Sequence, residues 1–182
     1  NYYLSLAIQS VLTYKGIDNY EMIQDVKNNL FMLNDIKIHT FNKEASFLIN
    51  YYGPKSSLFH TFKKYSLYEV IDSDTYDLSI IEEDDDWIDK YINPESPLYS
   101  FFGIEKSPFR DKIVIIGSSL EEDNDFIISP YYNYMGIDSK MPGVELHANV
   151  IQQILDENYI NVSKISSDIN NLFLYTFILR FI

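Results

Sequence analysis

The residues able to do chemistry in this chain are few, and their spacing is unfavourable for most catalytic schemes. There is no cysteine, which removes thiolate nucleophiles, disulfides and cysteine zinc sites together. His39, His60 and His147 are the three histidines, and no two stand at the spacing that places metal ligands on one helix face. No metal or other cofactor is therefore expected. Gly117-Ser118-Ser119 follows an apolar run and could present backbone donors to an anion, but neither a dinucleotide fingerprint nor a phosphate loop surrounds it. A serine nucleophile there would need an elbow motif that is missing. Asp72-Ser-Asp74-Thr-Tyr-Asp77 has a calcium-loop flavour but lacks the glycine at the sixth position and the glutamate at the twelfth. Glu145 and Asn149, four residues apart, share a helix face that Gln152 and Gln153 extend by a turn, which suits a polar seam to a neighbouring element. His147, three residues after Val144 and four before Ile151, reads as a hydrogen-bonded helix residue rather than a metal ligand.

The elements that must hold these groups can be placed from pattern. Leu4, Ala7, Ile8, Val11 and Leu12 form a helical stripe that Gly16 can end. Between residues 22 and 38, short apolar runs alternate with Lys27-Asn-Asn29 and Asn34-Asp35, a small strand meander. Phe-Leu-Ile-Asn-Tyr-Tyr at 47–52 reads as a buried strand stopped by Gly53-Pro54. Ser66 and Glu69 have capping-box spacing for a short helix. Ile-Val-Ile-Ile at 113–116 has no polar alternation and predicts a strand covered on both faces, hence an α/β layered fold. Met141-Pro-Gly143 then opens a helix whose stripe is Val144, Ala148, Ile151 and Leu155, with proline tolerated at its start.

Charge and length bound the function classes. The 182 residues suit one domain, and 46% hydrophobic content excludes wholesale disorder. A net charge of -13 opposes nucleic acid partners. Nine of those net charges fall between residues 72 and 95, as expected of a solvated acidic loop or insertion (72–97). The chain begins at Asn1, which suggests a piece of a longer polypeptide, and residues 172–182 are nearly all apolar. As a helix those eleven residues reach about 16 Å against a hydrocarbon core of roughly 30 Å. They are either a core or amphipathic helix or the first turns of a membrane helix, with Arg180 counting against the latter unless it lies at an interface.

Three segments in order resemble the second type of CHASE sensory domain, the cyclase and histidine-kinase associated extracellular sensor. They are Phe-Leu-Ile-Asn-Tyr-Tyr-Gly-Pro at 47–54 followed by Ser66-Leu67 and Val70; Asp-Lys-Ile-Val-Ile-Ile-Gly-Ser-Ser at 111–119 followed by Asp125 and Ser129-Pro130; and Met-Pro-Gly-Val-Glu-Leu-His-Ala-Asn-Val-Ile at 141–151. The chain departs from the pattern at Tyr52, where arginine is usual, at Glu122-Asp123-Asn124, and in the acidic stretch.

The resemblance implies an extracytoplasmic, non-catalytic sensor at the cell membrane, coupled to a nucleotide cyclase or protein kinase and homodimeric in the full receptor. It also implies a mixed, largely parallel central sheet flanked by helices and incomplete at the N-terminus. Residues 1–165 would be the C-terminal part of the sensor and 166–182 the start of a truncated transmembrane helix. The stimulus, a small molecule or a physical condition, is unspecified. By resemblance Asn50, Asp125, Glu145, His147 and Asn149 lie near the functional or structural centre, as a polar network or, second, as ligand contacts. The alternative is a small-molecule-binding α/β enzyme using the Gly117 to Ser119 turn, and a third reading is an adhesion or assembly module.

Overall fold

The structure, a computed structural model, describes residues 4–41, 46–73, 76, 88, 91 and 107–160. They fall into two compact units, one made of the described residues up to 50 and from 149 onward, the other of those between 51 and 148.

In the first unit, helix α1 (Leu6–Tyr14) starts at Ser5, whose hydroxyl accepts from the Ile8 amide. Its apolar stripe puts Ala7, Val11 and Leu12 in the interior. Gly16 ends it in the left-handed region at φ 68°, with the Ile17 amide on the Leu12 carbonyl and the Gly16 amide on that of Thr13. These are the two bonds of a Schellman stop, which a residue with a Cβ makes at a cost.

The meander follows as β1 (Met22–Asp25), β2 (Leu30–Leu33) and β3 (Ile36–His39), antiparallel throughout, with Met22 opposite Leu33 and Leu33 opposite Ile36. Each reversal has its own turn chemistry. Asp25 Oδ1 accepts from the Lys27 and Asn28 amides at 3.1 Å, and Asn29 takes a positive φ. In the second reversal Asn34 takes φ 51°, its side chain accepting from the Glu21 amide and donating to the Asn19 carbonyl. Alternation along β3 buries Ile36 and Ile38 and exposes Lys37 and His39. Leu33, Ile151 and Ile154 complete the buried apolar set of this unit.

The second unit contains helices α2 (Ser56–Phe59) and α3 (Leu67–Ile71), the latter carrying the Ser66–Glu69 capping box with the Ser66 amide on Glu69 Oε2. A 3-10 turn (Glu121–Asp123) precedes β4 (Phe126–Ile127). The hairpin β5 (Asn133–Tyr134) to β6 (Ile137–Asp138) turns through Met135 and Gly136, both at positive φ. Strand β7 (Met141–Pro142) pairs antiparallel with β4 and leads directly into α4 (Gly143–Leu155), whose residues up to Ala148 belong to this unit and whose later residues belong to the first.

The fold is mixed α/β, but the expected largely parallel central sheet is corrected: all sheets among the described residues are antiparallel. Residues 47–52 and 113–116 are not strands. Along 113–116 half-buried and exposed residues alternate, with Val114 53% and Ile116 77% exposed, so one face is uncovered. Apolar β-branched residues favour extended backbone, but a ladder also needs a neighbour. Here the neighbours are supplied locally by tight turns, which specify antiparallel pairs, whereas parallel pairing must close a long loop.

Of the acidic stretch, residues 74–75, 77–87, 89–90 and 92–97 lie outside the described residues. Asp72 and Ser73 are buried rather than solvated, and Ile88 is buried too. The expected start of a transmembrane helix, 166–182, with its apolar run at 172–182, also lies outside the described residues.

Candidate functional site

The start of α4 in the second unit is where the singled-out polar residues gather. Glu145 stands in the helix's first turn and is 5% exposed. Its Oε2 accepts from the Ser56 amide at 2.9 Å and from the Ser56 hydroxyl at 3.0 Å. The same hydroxyl oxygen accepts from the Phe62 amide at 3.1 Å, so one buried carboxylate ties down both ends of the loop from 56 to 62. A carboxylate is favourable at a helix N-terminus, where unpaired amides and the helix dipole present positive charge. Charge-assisted bonds of this kind are stronger than neutral ones.

Asp125 reaches the same helix end from the other side. The Gly143 amide donates to the Asp125 carbonyl at 2.8 Å, and the Asp125 carboxylate lies where a side chain at position 143 would begin. A Cβ there would oblige the Asp125 carboxylate to shift. Gly117 is similar: a Cβ at that position would stand 2.7 Å from the Val144 Cβ. Packing on the helix start thus accounts for a glycine that the enzyme alternative would assign to anion binding. Ser118 is engaged locally, its hydroxyl accepting from the Leu120 amide. His147, half-buried, is one helical turn from Val144.

The loop that Glu145 anchors is held by further contacts inside the same unit. The Thr61 hydroxyl donates to the Pro54 carbonyl at 2.6 Å. The Lys55 ammonium lies 5.3 Å from the Phe126 ring centre, and Phe59 meets Tyr134 edge-on at 5.2 Å. His60 closes α2 in the left-handed region at φ 55°. Beside it His60, Phe62, Lys63, Lys64 and Tyr65 line an open cleft of about 420 Å³. Sequence reasoning missed this cleft. Its signal was a run free of Asp and Glu from residue 45 to residue 68 in an otherwise acidic chain, with Lys63-Lys64 between aromatics.

Asn50 and Asn149 are in the first unit. There the fully buried Gln153 does the organising. Its Nε2 donates to the Leu48 carbonyl and its Oε1 accepts from the Asn50 amide, both at 2.9 Å. One amide side chain therefore pairs with an extended backbone as a strand neighbour would. The Asn50 side chain donates to the Asn158 carbonyl at 3.4 Å, and Asn149 is fully buried. Tyr159 stacks at a tilt on His39 and edge-on to Phe47, closing this end.

Asp25 is held below the ordinary carboxylate value chiefly by the Asn28 side-chain hydrogen bond, then by the Asn28 and Lys27 amides. Burial pushes the Tyr51 phenol up. Among the described residues no group of histidines and acids is arranged to hold a metal ion.

A family model for the CHASE2 domain matches residues 1–180, and the chain belongs to that family of extracellular sensory domains. The family is non-catalytic and sits on the outer side of membrane receptors. No curated protein matches the chain. No solved structure matches it either. Among the described residues no helix is long and apolar enough to cross a membrane.

Proposed function

We propose that this chain is the signal-input part of a membrane receptor whose output module is a nucleotide cyclase or a protein kinase. Membership of the CHASE2 family carries this reading. Around α4 a buried carboxylate holds the loop at Ser56 and a buried amide holds the segment at Leu48 and Asn50. Asn50, Asp125, Glu145, His147 and Asn149 act as positioning residues that hold the loops of their own units. A stimulus shifts such a domain only to the extent that it binds one state better, about 1.4 kcal/mol per tenfold preference. Residues 166–182 begin the membrane helix that carries the shift inward, and the full receptor is a homodimer.

The test is topological. In intact cells expressing the full-length protein, a membrane-impermeant lysine reagent is expected to label this domain, and the protein is expected in the membrane fraction. Labelling only after permeabilisation, or recovery of the full-length protein in the soluble fraction, would overturn the reading.

A further inference from the structure

We propose that the cleft formed by His60, Phe62, Lys63, Lys64 and Tyr65 binds a small anion with a flat apolar body, of the aryl phosphate or aryl carboxylate class. The cleft, about 420 Å³, falls within the size range of small-molecule sites. Its lining joins two ammonium groups and an imidazole to two aromatic rings, which is the chemistry for an anionic head on a planar body. The location within the chain is also informative. A protein of net charge -13 repels anions at long range, yet these cations occupy a stretch of 24 residues, 45 to 68, without a single acid. At physiological salt, screening over about 8 Å lets such a local patch act independently of the distant acids.

The walls are braced. Tyr65 packs edge-on against Phe109 with ring centres 5.0 Å apart, and the Phe62 amide is fixed to the Ser56 hydroxyl. Glu145, at the end of this hydrogen-bonded chain, is buried and already accepts two bonds from Ser56, and the Glu69 carboxylate is taken up by the Ser66 amide next to Tyr65. The same connection gives the cleft a consequence: a ligand that moves the loop at Phe62 acts, through Ser56, on the first turn of α4. That consequence rests on the sensor reading, whereas binding itself does not.

The experiment is lysine footprinting of the chain, read by mass spectrometry, with Lys15 and Lys140 as exposed internal references. Phenyl phosphate is expected to protect Lys63 and Lys64 with a midpoint on the order of 0.1–1 mM, as suits so small a ligand. Inorganic phosphate should need about tenfold more, because it gains nothing from the rings. Tyr65→Ser should abolish that tenfold difference. Lys63→Gln should raise the midpoint read at Lys64 by about fivefold.

Protection no greater than at Lys15 and Lys140, or equal protection by the two phosphates in the unsubstituted chain, overturns the proposal. So does protection by phosphatidylglycerol vesicles without protection by phenyl phosphate, which would assign the cleft to a lipid headgroup. None of these failures touches the topological test, and failure of that test leaves a positive footprint standing.

Discussion

At the scale of single residues, two buried polar side chains stand out, and each makes a sharp prediction. Glu145→Ala removes the acceptor of two Ser56 bonds and leaves that amide and hydroxyl buried without it. The Ser56 and Phe62 amides are expected to lose about 2–3 kcal/mol of protection in native-state amide exchange, and Glu145→Gln, which keeps one acceptor oxygen, should lose less. Equal losses for the two variants would show that the carboxylate charge, rather than side-chain shape or a neutral acceptor oxygen, carries the anchoring. At Gln153, replacement by Glu keeps an acceptor for the Asn50 amide but puts a carboxylate against the Leu48 carbonyl. Gln153→Glu should therefore destabilise more than Gln153→Leu at neutral pH, because a buried charge facing a lone pair is worse than an apolar isostere.

Gly117→Ala should cost about 1–3 kcal/mol by overpacking. Since the 2.7 Å approach is to the Val144 Cβ itself, Val144→Ala should not rescue it, whereas Val144→Gly should in part. Rescue by Val144→Ala would mean that the methyl groups, not the Cβ, set the limit.

At the scale of elements, local signals were legible. Helix α1 with its Gly16 stop, the meander between 22 and 38, the capped helix after Ser66 and the helix from Gly143 all occur as the residue pattern predicts. Each is specified by contacts within a few positions, which a sequence displays directly. The first hairpin carries a pH dependence of defined sign. Asp25 has its pKa lowered in the folded state, so its contribution is present above the ordinary value of 3.8 and is lost as pH falls through the lower folded value. Amide exchange at Lys27 and Asn28 should accelerate in that acid window, and Asp25→Ala should show the faster exchange at neutral pH as well. Unchanged protection in the variant would dismiss the turn as the source.

The two strand expectations failed for one reason. Residues 47–52 and 113–116 have strand-forming side chains, but pairing is a property of two segments, and neither meets a strand neighbour among the described residues. In the first case Gln153 takes the partner's role, which the Glu145, Asn149, Gln153 seam hinted at only as a polar face.

At the scale of the whole molecule, uncovered apolar residues are the prominent property. Val114, Ile116, Leu120 and Ile128 are each more than half exposed. An extended segment with unpaired backbone and apolar side chains associates with its like. The isolated chain is therefore expected to self-associate and to melt without a sharp cooperative transition, as followed by sedimentation and circular dichroism. Val114→Lys with Ile116→Lys should suppress the association. A monomeric chain with a sharp melt would contradict the expectation, and association unaffected by the two lysines would move its cause elsewhere.

By itself the sequence determined the family, the local helices and hairpins, and the exclusion of thiol chemistry, because all of these reside in residue types and short spacings. Tertiary structure alone decided that the sheets among the described residues are antiparallel and that Gln153 takes up the backbone at Leu48 and Asn50. It also decided that Glu145 clamps the loop beside a basic, aromatic cleft. Each of those outcomes depends on which distant segments meet. That is settled by competition between loop closure, burial and hydrogen bonding across the folded chain, and no window of neighbouring residues contains it.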